Sequence, residues 1–145
     1  MRVDSIYVAQ RRRLLGLAAA ITLDPGAAEE IVQDAFVGLQ RHAQRVDNPE
    51  GYLQRSVINL AINRVRRRKV AAAHPLTPPP VASTPEIDET WAVVQQLPAK
   101  QRAVVVLRYW NDMTVEGIAD ALGWPVGSVK STLHRALRHL EEELR

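Results

Sequence analysis

Cysteine is absent from the 145 residues. Without a thiol there is no disulfide framework, no thiolate metal site and no cysteine nucleophile, and the chain is compatible with a reducing cytoplasm. The four histidines, His42, His74, His134 and His139, show no zinc spacing with a nearby acid, so no metal is expected. No glycine-rich phosphate loop follows a strand, and Ser128 and Ser131 have no base in a triad pattern. Neither an enzyme nor a cofactor is expected. No apolar run is long enough to span a bilayer. Arg11-Arg12-Arg13 followed by Leu14 to Leu23 imitates the charge order of a secretory signal, but it starts well in from Met1 and lacks a clear cleavage context. It also runs into a helix cap at Asp24-Pro25. A buried first helix explains it better, and a cytoplasmic chain with no membrane insertion of its own is expected. Strand alternation is not sustained anywhere, and there is no internal repeat, which leaves helix on helix as the layer architecture.

What is present suffices for ordinary cores, since 46% of the residues are apolar. Five of the nine prolines fall between Lys69 and Glu86. Such a stretch sustains neither helix nor central strand and favours extended polyproline geometry. The organisation expected is therefore two small helical domains, 1–68 and 87–145, joined by a linker over 69–86. At ~3.1 Å per residue the linker reaches roughly 50 Å, about fifteen base pairs of duplex at ~3.4 Å each. An inert spacer has the same composition. Charge is uneven: Met1 to Arg68 carries eleven basic and seven acidic side chains, Ile87 to Arg145 seven and eight.

The first half reads as three helices. One covers about Ser5 to Leu23. The second covers Pro25 to about Arg45, capped by Asp24, with Ile31, Val32, Ala35, Phe36 and Leu39 as its buried stripe. The third starts near Pro49 or Gly51 and ends in Arg64-Val65-Arg66-Arg67-Arg68-Lys69. Its apolar side is Leu53, Val57, Leu60, Ala61 and Val65, while Arg55, Asn59, Asn63 and Arg67 recur every four residues opposite. Alternating guanidinium and amide groups can hold phosphates and bond exposed base edges. A solvated face would usually include Glu, and none occurs from Leu53 to Lys69. Tyr52 at the start of this helix suits stacking on an unpaired base, or the edge of a core.

In the second half, Thr114 to Leu140 reads as two helices joined by a tight turn. Ile118 and Leu122 are the buried pair of the first, Gly123 supplies a left-handed stop, and Pro125 opens the second. Val129, Leu133, Ala136 and Leu140 then form one stripe and leave Gly127, Ser128, Ser131, His134, Arg135 and Arg138 outside. Small residues first and basic residues behind suit entry into a major groove with phosphates alongside. Plain bundles also contain such pairs, and periodicity alone leaves both readings open.

Leu97-Pro98 to Tyr109, then Thr114 to Ala136 with Val126-Gly127-Ser128-Val129-Lys130-Ser131, resembles the carboxy-terminal domain of bacterial sigma factors of the extracytoplasmic-function (ECF) type, in the sigma-70 family. Asp24-Pro25, Ala28 to Phe36, Gly51-Tyr52-Leu53, Asn59-Leu60-Ala61 and the closing arginines resemble the amino-terminal domain of the same factors. The resemblance covers nearly the whole chain in the family's order.

It implies a sigma factor that binds core RNA polymerase, directs it to specific promoters and helps open them. The helix matching Glu29 to Leu39 is then the polymerase-docking one, through Glu29, Glu30, Gln33, Asp34 and Phe36. The loop Val46 to Glu50, with Asp47 and Asn48, would hold a flipped base of the minus-ten element. The following helix, with Tyr52, Arg55, Asn59, Asn63, Arg64 and Arg67, would keep the strands apart. Gly127, Ser128, Lys130, Ser131, Thr132, His134, Arg135 and Arg138 would read the minus-thirty-five element. An anti-sigma factor is a further partner the family implies. Three positions depart from the family pattern: Asn63 for a usual acid, Gly117 for a usual Glu, and Thr132 for a common Arg.

Elementary energetics agree with a polymerase partner. Separating about ten base pairs costs on the order of 14 kcal/mol at ~1.4 per step, whereas a good bidentate base contact returns ~1–3 kcal/mol. So small a chain needs a larger clamp. Glu30 and Asp34 taken alone would read as a solvated helix face. The alternatives are a dimeric helix-turn-helix regulator acting without polymerase, which leaves the Arg55 to Arg67 stripe unexplained, and a sigma-like decoy that binds proteins but no DNA.

Overall fold

A computed structural model describes residues 3–67 and 85–144, with side chains given from residue 89 in the second segment. The expected linker up to residue 84, with His74 and the terminal Arg68-Lys69 of the basic run, lies outside the described residues. Among the described residues all regular structure is helical, as expected.

Helices α1 (Val3–Thr22), α2 (Pro25–His42) and α3 (Pro49–Arg67) pack on one another as a three-helix bundle. The α1–α2 corner is built from short-range chemistry. The Thr22 hydroxyl donates back to the Ala18 carbonyl at 2.8 Å, Leu23 turns left-handed at φ 58°, and the Asp24 carboxylate accepts the Ala27 N–H at 3.2 Å. Pro25 in the first turn gives up no hydrogen bond, so the expected cap is present. The α-helical ladder of α2 stops at His42, and Ala43–Arg45 tighten into a 3-10 turn. Leu14, Leu17, Ala18 and Ile21 of α1 meet the α2 stripe of Ile31, Val32, Ala35, Phe36 and Leu39 in the core.

The apolar side of α3 is Leu53, Val57, Ile58, Ala61 and Ile62, with Leu60 and Val65 only half-buried. The expected stripe is thus widened toward Ile58 and Ile62. The reason is that α3 touches α5 and α6 of the second half as well as α1 and α2.

The second half contains α4 (Pro85–Val94), α5 (Ala99–Val105), α6 (Val115–Leu122) and α7 (Val126–Glu143). Helix α4 begins two residues before the boundary expected at Ile87. The end of α5 widens into a π turn over Val106–Trp110. Thr114 caps α6 by accepting the Gly117 N–H at 3.0 Å, and Gly123 ends it at φ 70°, a conformation that glycine adopts without strain.

The two halves share a seam. Arg102, 5% exposed, sends Nε at 2.9 Å and Nη2 to the Ile21 carbonyl at the end of α1, and Nη1 at 2.8 Å to the Leu97 carbonyl of its own half. Burial lowers its pKa from the usual guanidinium range to about 10, which still leaves it charged at neutral pH. At the rim, Arg13 Nη1 donates to Gln54 Oε1 (3.0 Å) and Asn111 Oδ1 (3.2 Å), and Asn111 Nδ2 donates to Gln54 Oε1 (3.3 Å).

Candidate nucleic-acid interface

Helix α7 presents one uncovered face. Gly127, Ser128, Lys130, Ser131, His134, Arg135 and Arg138 are all exposed, small residues in the first turn and cations behind. Pro98 and Pro125 stand immediately before α5 and α7 respectively, so neither proline breaks a ladder. The buried seam of α7 is Val129, Thr132, Ala136 and Leu140, while Leu133 is half-buried. Thr132 is therefore a correction: at 6% exposure it faces the core, and its hydroxyl meets only the Arg135 guanidinium, at 3.5 Å. Packing of α7 against α5, α6 and α4 rotates the seam one position back from Leu133.

On α3, the four members of the expected stripe, Arg55, Asn59, Asn63 and Arg67, are all exposed. Arg55 lies 3.8 Å from Asp120 of α6, so the first helix of the helix-turn-helix sits at one end of this stripe. Asn59, Asn63 and Arg67 have no side-chain partner among the described residues. Arg64 is half-buried and pairs with Glu30 of α2 at 3.0 Å, which joins the two surfaces that were expected to serve different partners.

The loop before α3 is shorter than expected, because Pro49 and Glu50 already belong to the helix. Asp47 and Asn48 are exposed, and the Asn48 Oδ1 accepts the Gly51 N–H at 3.1 Å, acting as a cap. Tyr52 is half-buried, and its hydroxyl lies over Gly38, where a Cβ would come within 2.8 Å of it. In this arrangement Tyr52 sits at a core edge.

The acidic face of α2 is exposed at Glu29, Glu30, Gln33 and Asp34. Glu29 meets Arg11 at 3.3 Å. Phe36 requires a second correction. It is 5% exposed and stands edge-on to Tyr7 with ring centroids 4.7 Å apart, so it belongs to the core and not to a docking surface. The apolar residue exposed beside it is Val37. Two features escaped the sequence reading. Arg102 is signalled only as a lone cation ahead of the apolar run Ala103 to Leu107, and the triad of Arg13, Gln54 and Asn111 has no local signal because its members are far apart in the chain.

A basic helical bundle followed by a helix-turn-helix with an open basic face defines a DNA-binding transcription protein. Residues 6–70 match the family described as Sigma-70 region 2, and residues 87–140 match Sigma-70, region 4. The chain is 38% identical to the RNA polymerase sigma-E factor of Streptomyces avermitilis, across 95% of this chain and 83% of that protein. It is 30% identical to the ECF RNA polymerase sigma factor SigW of Bacillus subtilis, across 81% and 75%. The sigma factor RpoE of Bartonella quintana, solved in complex with the anti-sigma factor NepR, shares the fold with a TM-score of 0.75 at 20% identity, over 97% of this chain and 95% of that one. The chain belongs to the sigma-70 family, in its extracytoplasmic-function class. Promoter-directed initiation with core RNA polymerase is the function that follows, and the dimeric regulator is not favoured.

Proposed function

We propose a division of labour among the residues of this sigma factor. The α7 face of Gly127, Ser128, Lys130, Ser131, His134, Arg135 and Arg138 reads the minus-thirty-five element in the major groove. The α3 stripe of Arg55, Asn59, Asn63 and Arg67, with Asp47, Asn48, Tyr52 and Arg64, engages the minus-ten element and keeps its strands apart. Glu29, Glu30, Gln33 and Asp34 dock on core polymerase. The observation that carries this reading is the exposure of every small and basic residue on the outer face of α7 while the helix is otherwise packed into the second half.

Residues 1–68 and 87–145 act as separable units on the promoter, with 69–86 between them. Opening the seam frees Arg55 from Asp120 and leaves the α3 stripe clear. The protein works in the cytoplasm, as a specificity subunit with no chemistry of its own. An anti-sigma factor is its proposed regulator, supported by the complex in which the similar Bartonella structure was solved. Run-off transcription with core polymerase on a pool of genomic promoter fragments tests the whole reading. Selective transcripts that require the chain are expected. Dimeric operator binding without polymerase and without transcripts would replace this reading with the regulator.

A further inference from the structure

A groove of about 740 Å³ runs between α1, the start of α2 and the second half, within the ~300–1,000 Å³ range of small-ligand sites. Its floor is hydrocarbon from both halves: Leu15, Ala19 and Leu23 on one side, Trp91, Val106 and Trp110 on the other. Gly16 also lines it, and a Cβ built there meets nothing within 4 Å, so the α1 backbone faces open space at this point.

One charged donor on the lining lacks a partner among the described residues. It is Arg12. The other groove-lining charges are engaged: Arg11 with Tyr7 and Glu29, Arg13 with Gln54 and Asn111, Asp24 in the α2 cap. Arg12 alone among the lining arginines has no partner among the described residues, and it is exposed.

We infer that this groove binds a long-chain carboxylate. The chain lies on the apolar floor, where burial of each CH₂ stabilises by about 0.8 kcal/mol. The carboxylate oxygens supply acceptors for Arg12, and the negative charge matches the one guanidinium of the lining that is unpaired among the described residues. A cationic amphiphile would face Arg12 with like charge, and a neutral one would leave the guanidinium unmatched. Because the lining is shared, occupancy ties α1 to α4 and to the π turn after α5 and holds the halves together.

The test is calorimetric titration of the full chain with dodecanoate below its micelle-forming concentration, with dodecyltrimethylammonium and dodecyl maltoside as length-matched controls. Neither polymerase nor promoter DNA enters the measurement, so its outcome is separate from that of the transcription assay. Saturable one-to-one binding of dodecanoate is expected. Binding should weaken by roughly tenfold or more in Arg12→Gln, as for loss of a charged hydrogen bond. Gly16→Leu fills the groove while replacing a poor helix former with a good one, and it should abolish binding with the helical circular dichroism retained. Equal affinity for all three amphiphiles, wild-type affinity in folded Gly16→Leu, or no saturable heat would overturn the inference. So would a dimer in sedimentation that dodecanoate leaves unchanged, since a second copy would then occupy the groove.

Discussion

Arg102 and Ile21 lie 81 positions apart in the chain, yet two nitrogens of the Arg102 guanidinium converge on the Ile21 carbonyl at the end of α1. That carbonyl is among the last of its helix and has no intrahelical N–H to accept. A cation there also suits the negative end of the helix dipole. The same guanidinium reaches the Leu97 carbonyl, so one side chain ties α5, its own connector and the first half. Replacement by Met keeps much of the volume and strands both carbonyls at ~1–3 kcal/mol each. Arg102→Met should therefore lose on the order of 2–4 kcal/mol in urea unfolding. Arg102→Lys should lose nearly as much, because a single ammonium does not reproduce the planar fork. A loss under ~0.5 kcal/mol would show that the seam contributes little to stability.

The outer face of α7 gives a prediction about salt. Arg135 and Arg138 are exposed and no part of the seam, so reversing both to Glu should leave the thermal midpoint nearly unchanged. If each contacts one phosphate, log affinity for minus-thirty-five duplex against log salt should become shallower by about 2. Fluorescence anisotropy with the polymerase holoenzyme across a salt series measures this, and an unaltered slope would remove both residues from the interface. Thr132→Val should leave DNA affinity nearly as it is, since Thr132 is buried and its hydroxyl reaches Arg135 only at 3.5 Å, too long to hold that guanidinium in place.

The contrast between Thr132 and Leu133 shows where sequence reasoning stopped. The caps at Asp24, Thr114 and Gly123 were legible because each depends on chemistry within three or four residues. The open face of α7 was legible as well, since an amphipathic period states which side is polar. Periodicity does not state how wide the buried side is when a helix packs on three neighbours. That is how Thr132 entered the core and how Ile58 and Ile62 displaced Leu60 and Val65, whereas Phe36 closed on Tyr7 as its place in the buried stripe of α2 implies. The seam itself was illegible. Ile21 with Arg102, and Arg13 with Asn111, are pairs that only the folded chain brings together.

Arg55 separates structural from functional effects on α3. Its pair with Asp120 is long at 3.8 Å, with both side chains largely exposed, and such pairs contribute ~0–1 kcal/mol. Arg55→Ala should thus change unfolding free energy by less than about 0.5 kcal/mol. If the stripe holds the separated strands, the same substitution should reduce open-complex formation, followed by 2-aminopurine fluorescence in the minus-ten element. Asp120→Asn releases Arg55 without removing it and should leave promoter opening intact or raise it. Equal loss in both variants would assign Arg55 to the seam.

Gly117 offers the opposite case, a place where stability can be added. Thr114 accepts the Gly117 N–H at 3.0 Å, which is half of a capping box whose other half needs Glu at position 117. Glycine in a helix also costs ~1 kcal/mol relative to good helix formers. A Cβ at this position would come 3.1 Å from the Thr114 hydroxyl and 3.8 Å from Met113 Cε. Both neighbours are ends of side chains, and a shift of a few tenths of an ångström preserves the cap. Gly117→Glu should therefore stabilise the chain by about 0.5–1 kcal/mol, a rise of several degrees in Tm for a domain of this size. Thr114→Val removes the hydroxyl half of the box but keeps the backbone N–H that the new carboxylate would bond, so part of the Gly117→Glu gain should persist in that background. A lowered Tm in Gly117→Glu would mean that the close approach to Thr114 outweighs both terms.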